Sequence, residues 1–200
     1  KKYALEKGLN ILQPVKLKDK AFLNRLHELK ADLQIVVAFR MLPEEVWQMP
    51  KLGTFNLHAS LLPQYRGAAP INRAIMNGEK ETGVTIMKMD PGMDTGPLLL
   101  QKFIAIDPED TYETLEQKMA PLALKALIEA LPQYIDGKLT PTPQDASQTT
   151  SPKQLTRDQG RIDWQKTAEE IYNLYRSITP WPGIWTTWNC KRLKLLSIKP

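Results

Sequence analysis

The sequence is poor in the residues that build cross-links and metal sites. Its 200 residues include one cysteine, Cys190, and two histidines, His27 and His58. A single thiol excludes an internal disulfide framework and suits a reducing, cytoplasmic setting. Two imidazoles and one thiol, far apart along the chain, fall short of the ligand set of a usual zinc site, so no metal is expected. Long apolar runs are missing as well, none approaching the roughly 20 residues of a membrane-spanning helix. Residues 1–7 (KKYALEK) lack the apolar centre of a signal peptide. Neither a G-x-G-x-x-G turn nor a P-loop is there to cradle a dinucleotide or a triphosphate, and no internal repeat is visible.

What is present is an ordinary globular composition, 42% hydrophobic, with a formal net charge of +5. The positive charge gathers at the ends. Residues 1–30 hold eight Lys or Arg against three acids, and Lys191, Arg192, Lys194 and Lys199 crowd the other end. Basic ends can grip a polyanion such as RNA. No stretch is a dense basic block, so solvated lysines account for the pattern equally well. The chain opens on Lys1, not Met, inside a helical pattern, from which a fragment is expected. A processed start would look the same.

Periodicity predicts an α/β layer fold over residues 19–131. Residues 19–30 set Phe22, Leu26 and Leu29 on one helical face, and residues 33–39 (LQIVVAF) read as a strand covered on both sides. Pro43 can open a short helix, residues 53–60 read as a strand, and residues 69–77 read as a helix stopped by Gly78. Residues 82–89 and 98–106 read as adjacent strands, which makes the sheet mixed. Asp110 and Glu113 are the expected capping pair of a long helix carrying Leu115, Met119, Leu122 and Ala126 on one face. The Pro- and Thr-rich stretch that follows reads as a linker over residues 138–156, after a first domain of residues 1–137. Residues 157–200 then read as the start of a second domain. Thr167 and Glu170 cap its helix, and two strand-like runs meet at a tight Asn189–Cys190 turn.

The chemistry-bearing stretch is residues 55–70 (FNLHASLLPQYRGAAP). On a strand, Asn56 and His58 point to the same face. A carboxamide and an imidazole together offer an oxyanion donor and a proton carrier. Residues 90–96 (DPGMDTG) form a shaped loop that could present Asp94 to His58, orienting the ring and favouring its charged form. Each residue also has a plainer structural role open to it: a satisfied strand histidine, a strand-end asparagine, a turn aspartate. Ser60, His58 and Asp94 could be a hydrolase triad, but Ser60 lacks the glycine-flanked elbow that exposes such a nucleophile.

N-x-H-x-S-L-L-P followed by Y-R-G-A-A-P-I and then G-M-D-T-G resembles the folate-dependent formyltransferase superfamily. The resemblance extends to residues 31–43 (ADLQIVVAFRMLP), 81–87 (ETGVTIM), 161–164 (RIDW) and 180–183 (PWPG), and so runs from end to end. It implies a Rossmann-like formyltransferase domain with a mixed sheet, a linker, and the beginning of an OB-like tRNA-binding domain. It also implies that Asn56, His58 and Asp94 are catalytic, that Ser60, Leu61, Leu62 and Pro63 contact the folate, and that 10-formyltetrahydrofolate is the donor. The RIDW and PWPG segments are similar to those of the branch whose acceptor is the α-amino group of initiator methionyl-tRNA. The chain is then expected to act as a monomer, to touch no membrane, and to lack the branch's first strands and helices and most of its barrel. The alternatives are another acceptor (glycinamide ribonucleotide, an amino sugar nucleotide or water), a non-catalytic RNA-binding module, and a purely structural fragment.

Overall fold

A computed structural model of the chain describes residues 1–38, 40–150 and 154–199. Residue 39 of the expected strand over residues 33–39, residues 151–153 of the expected linker and residue 200 of the expected second domain lie outside them. The chain forms two compact units, Lys1–Phe55 and Asn56–Pro200.

The first unit holds helices α1 (Lys2–Glu6) and α2 (Lys20–Glu28), strand β1 (Gln34–Val37), helix α3 (Glu44–Trp47) and the opening residues of strand β2 (Thr54–His58). Asp19 starts α2 by accepting the Phe22 N–H at 3.0 Å, satisfying one of the unpaired amides of the first turn. Pro43 precedes α3, whose first turn carries Glu44 and Glu45 at the positive end of the helix and whose Val46 is buried. The Gln34 N–H donates to the Gly53 carbonyl at 3.2 Å, beside the start of β2, and the Thr54 hydroxyl donates to the Trp47 carbonyl at 2.6 Å. Strand β1 differs from its expected burial on both faces, with Val37 57% exposed.

The second unit holds the rest of β2, helix α4 (Pro70–Met76), strands β3 (Glu81–Lys88) and β4 (Leu98–Ala105), the long helix α5 (Tyr112–Ile135), helix α6 (Ala168–Ile178) and the hairpin β5 (Ile184–Trp188) and β6 (Lys191–Leu195). Strand β3 lies between β2 and β4 and pairs antiparallel with β4, from Glu81 opposite Ala105 to Met87 opposite Leu98. The sheet is mixed, as the adjacent strands led one to expect. Residues 82–87 of β3 are all buried, so both faces of that strand are covered. Helix α5 buries Leu115, Met119, Ala123, Ala126 and Ala130, a stripe at three- and four-residue spacing.

The start of α5 differs from the expected Asp110–Glu113 pair. Thr111 is the cap and exchanges a reciprocal pair of bonds with Thr114. The Asp110 carboxylate is buried instead, where it accepts from the Asp107 N–H, the Thr114 hydroxyl and Lys118. The α6 box forms as predicted from Thr167 and Glu170. Behind α6, Ile162 of the RIDW segment packs with Ile178 and Ile184. The Gly183 N–H closes the PWPG segment on the Ile178 carbonyl at 2.9 Å. Asn189 and Cys190 both take left-handed φ values, 47° and 59°, which is what a two-residue hairpin turn requires. Asn72 of α4 donates to the Ser177 carbonyl of α6 at 2.7 Å, so the C-terminal elements pack in the same unit as the strands that follow Asn56. Among the described residues no helix is long and apolar enough to cross a membrane.

Candidate active site

Strand alternation sets the starting point. Within the second unit, β2 presents Asn56 half-buried and His58 only 7% exposed. The third residue comes from the loop between β3 and β4. Asp90 shapes that loop by accepting from the Gly92 N–H at 3.0 Å and the Thr95 hydroxyl at 2.6 Å, a side-chain turn of the kind aspartate favours. Gly96 lets the loop close, because a Cβ there would run into the Lys88 carbonyl. Asp94 takes a left-handed φ of 53°, a conformation that Asp tolerates better than most residues with a side chain.

The loop delivers Asp94 to the strand. One carboxylate oxygen accepts from Asn56 Nδ2 at 3.2 Å, and the other accepts from the Gly67 N–H at 2.7 Å. The second oxygen also stands 3.6 Å from His58 Nδ1, beyond direct hydrogen-bond length. At its far side the imidazole donates from Nε2 to the Tyr65 carbonyl at 2.9 Å, since a carbonyl can only accept. Asn56 has a second N–H with no partner among the described residues. The three residues singled out from the sequence are therefore together, joined through one carboxylate.

Tyr65 is a site residue the sequence did not reveal. It is buried with a left-handed φ of 58°, and its hydroxyl donates to Glu79 at 2.6 Å while accepting from Asn77 at 2.9 Å. Burial, reinforced by the Glu79 carboxylate, pushes its phenol up to about 12. Gln144 and Thr150 are also new to the site. They lie in the Pro- and Thr-rich stretch, yet Gln144 bonds to the Asp94 and Gly96 carbonyls and Thr150 to the Tyr65 N–H. Their only sequence signal is their polarity, which a linker shares.

The four residues expected at the folate lie just past β2. Thr85 and Gln101, on β3 and β4, hold their main chain. The Leu62 N–H donates to Thr85 Oγ1, the Thr85 hydroxyl donates to the Ser60 carbonyl, and Gln101 Nε2 donates to the Leu62 carbonyl. Ser60 and Leu62 are buried, whereas Leu61 and Pro63 keep partial exposure. The Ser60 hydroxyl donates to the Gln64 carbonyl at 2.7 Å, and both His58 nitrogens face other partners, so no serine–histidine pair exists for a hydrolase triad. Among the described residues there is no cluster of three or more metal-ligating side chains.

Comparison with known proteins places the chain in a family. The family described as formyl transferase matches residues 1–131, and that described as formyl transferase, C-terminal domain, matches residues 154–200. The methionyl-tRNA formyltransferase of Parabacteroides distasonis is 46% identical over 204 residues, covering 100% of this chain and 63% of its own length. That of Thermodesulfovibrio yellowstonii is 47% identical over 197 residues, covering 98% of this chain and 64% of its own length. The chain thus spans just under two thirds of the length of these relatives. A solved structure of HypX from Aquifex aeolicus in complex with tetrahydrofolic acid superposes with a TM-score of 0.74 at 23% identity, over 88% of this chain and 31% of that one, a likeness of fold. With the first family spanning the sheet and its surrounding helices and the second spanning α6 and the hairpin, the chain belongs to the formyl transferase family.

Proposed function

We propose that the chain transfers a formyl group from 10-formyltetrahydrofolate to the α-amino group of initiator methionyl-tRNA, and that Asn56, His58 and Asp94 carry the chemistry. The observation that supports this most is the convergence of the three on one carboxylate, with Asn56 at 3.2 Å and His58 at 3.6 Å from Asp94. The attacking amine forms a bond to the formyl carbon, the carbonyl electrons move onto oxygen, and the bond to N10 then breaks. The amine loses a proton and N10 gains one, so the exchange balances without an outside reactant.

Asp94 holds one Asn56 N–H, which fixes the carboxamide plane and leaves the second N–H to meet the developing oxyanion. A preorganised donor of that kind contributes about 3–4 kcal/mol to the transition state. His58 Nδ1 is the ring nitrogen not engaged by Tyr65, and at 3.6 Å from Asp94 it makes no direct hydrogen bond there, so it is available to take the proton that the attacking amine loses. The folate would lie along residues 60–63, meeting main chain held by Thr85 and Gln101 and the partly exposed Leu61 and Pro63.

For the acceptor, the support is the methionyl-tRNA formyltransferases that match along almost the whole chain. A cavity of about 230 Å³ between residues 157 and 194 adds to it, with Arg192 over the Trp185 ring at 4.0 Å and Lys194, Trp181 and Arg157 on its walls. Cations beside aromatic faces suit a polynucleotide. The proposal includes the division into a catalytic part over residues 1–137, a connection over 138–156 and a tRNA-binding part from 157, with the protein monomeric and in the cytoplasm. Competing methionyl-tRNA against an amino sugar nucleotide for formyl from 10-formyltetrahydrofolate tests it. Preference for methionyl-tRNA is expected, and preference for the sugar nucleotide overturns the acceptor.

A further inference from the structure

One side chain between α5 and α6 has every hydrogen-bonding group committed to the site. Gln144 Nε2 donates to the carbonyl oxygens of Asp94 at 2.9 Å and Gly96 at 2.7 Å. Its Oε1 accepts from Arg66 Nε at 3.1 Å and Nη2 at 2.8 Å. A carboxamide has two donor hydrogens and two acceptor lone pairs, and here all four are used. Glutamate would turn acceptors toward two carbonyls. Lysine would meet Arg66 with like charge, and asparagine is one methylene short.

The chain on either side holds Gln144 in place. Thr142 exchanges both main-chain bonds with Leu98 of β4, at 2.7 and 2.8 Å. Asp145 then accepts from the Ser147 N–H and hydroxyl and from Gln148, forming a turn. Beyond the turn, Thr150 Oγ1 accepts from the Tyr65 N–H at 2.7 Å and its carbonyl accepts from the Arg66 N–H at 2.9 Å. Thr150 thus grips the residue whose carbonyl receives His58 Nε2. Gln144 closes a ring: Asp94 carbonyl, Gln144, Arg66, and back through the adjoining Gly67 N–H to the Asp94 carboxylate.

We propose that residues 142–150 form a strap across the site and that Gln144 is its positioning residue, fixing the Asp94 loop against the turn at residues 65–67. This rests on the transfer chemistry proposed above. A non-glycine residue at a φ of 53° stays there only where its surroundings over-determine it, and Gln144 supplies the main-chain anchor on the loop. Without that anchor the loop relaxes, Asp94 withdraws from Asn56 and His58, and the reacting groups lose alignment rather than affinity.

The test compares Gln144→Ala and Gln144→Glu in the full chain, with Lys138→Ala as a control outside the strap. Gln144→Glu keeps the volume and the acceptor for Arg66, so it remains informative if Gln144→Ala folds poorly. Two readouts separate the claims. The first is kcat against KM: a fall in kcat of about tenfold or more is expected, with KM for 10-formyltetrahydrofolate within about threefold. The second is the imidazole nitrogen NMR signals of the two histidines of this chain, which need no activity. His58 signals should move in both variants while those of His27 stay. Unmoved His58 signals, or an unchanged kcat in an active protein, overturn the assignment. If the wild-type chain transfers no formyl group yet His58 responds, the strap stands and the transfer reading fails.

Discussion

Asp94 answers to three groups with two oxygens, and this makes it the most sensitive residue of the centre. Replacing it by Asn keeps a side chain that tolerates a φ of 53° but leaves one acceptor oxygen for both the Gly67 N–H and Asn56. The new NH2 would then turn toward a donor or toward His58. Asp94→Asn is expected to keep its thermal midpoint within a few degrees of wild type and to lose about 100-fold or more in transfer rate, read by calorimetry and single-turnover kinetics. Tyr65 acts one bond further out. Tyr65→Phe strips the Glu79 carboxylate and the Asn77 amide of their partner, which should cost about 1.5–3 kcal/mol in urea unfolding. Because burial raises the phenol to about 12, the folded state favours its protonated form. The stability this gives is complete below the ordinary value of 10.0 and is lost as pH rises toward about 12. Wild type should therefore fall more steeply than Tyr65→Phe across that window. Two-residue spacing put Asn56 and His58 on one face and the glycine-bounded loop let Asp94 reach them, while their catalytic roles were implied only by the resemblance. Tyr65, Gln144 and Thr150 were not legible, because their contacts join segments up to 85 residues apart and no local pattern marks them.

At the scale of elements, helix α6 offers the cleanest test. Thr167 and Glu170 exchange bonds at its first turn, and Thr167→Ala should lower stability by about 1 kcal/mol. Glu170 also meets Lys166, whose hydrogen bond, with those from Thr167, holds the carboxyl down at about 2. A depressed carboxylate stabilises the fold above its ordinary value of 4.5 and loses that contribution as pH falls toward about 2. The acid limb of the thermal midpoint should thus flatten between those values in Glu170→Gln, as followed by circular dichroism. This cap was legible in the sequence and formed as written. At α5 both Asp110 and Thr111 are good capping residues; Thr111 takes the cap, and the Asp110 carboxylate is occupied by the Asp107 N–H, the Thr114 hydroxyl and Lys118.

For the whole molecule, residues 142–150 show how a polar connection is ordered: they lie in the stretch read from composition as a linker and bury little apolar surface, yet Thr142, Gln144 and Thr150 are held by hydrogen bonds. Charge also acts at this scale. With a net +5 and a basic, aromatic cavity near the C-terminal end, tRNA affinity should fall linearly with salt on logarithmic axes. Lys194→Ala should reduce that slope by about 1 in a salt-titrated binding assay.

If one carboxylate assembles Asn56 and His58 into a formyl-transfer centre, single-turnover transfer from 10-formyltetrahydrofolate to methionyl-tRNA should register the loss of any of the three, in Asn56→Ala, His58→Ala and Asp94→Ala, with folate and tRNA affinities measured alongside. Each variant should lose about 100-fold or more in the chemical step while both affinities stay within about threefold. Rates near wild type in all three would contradict the account.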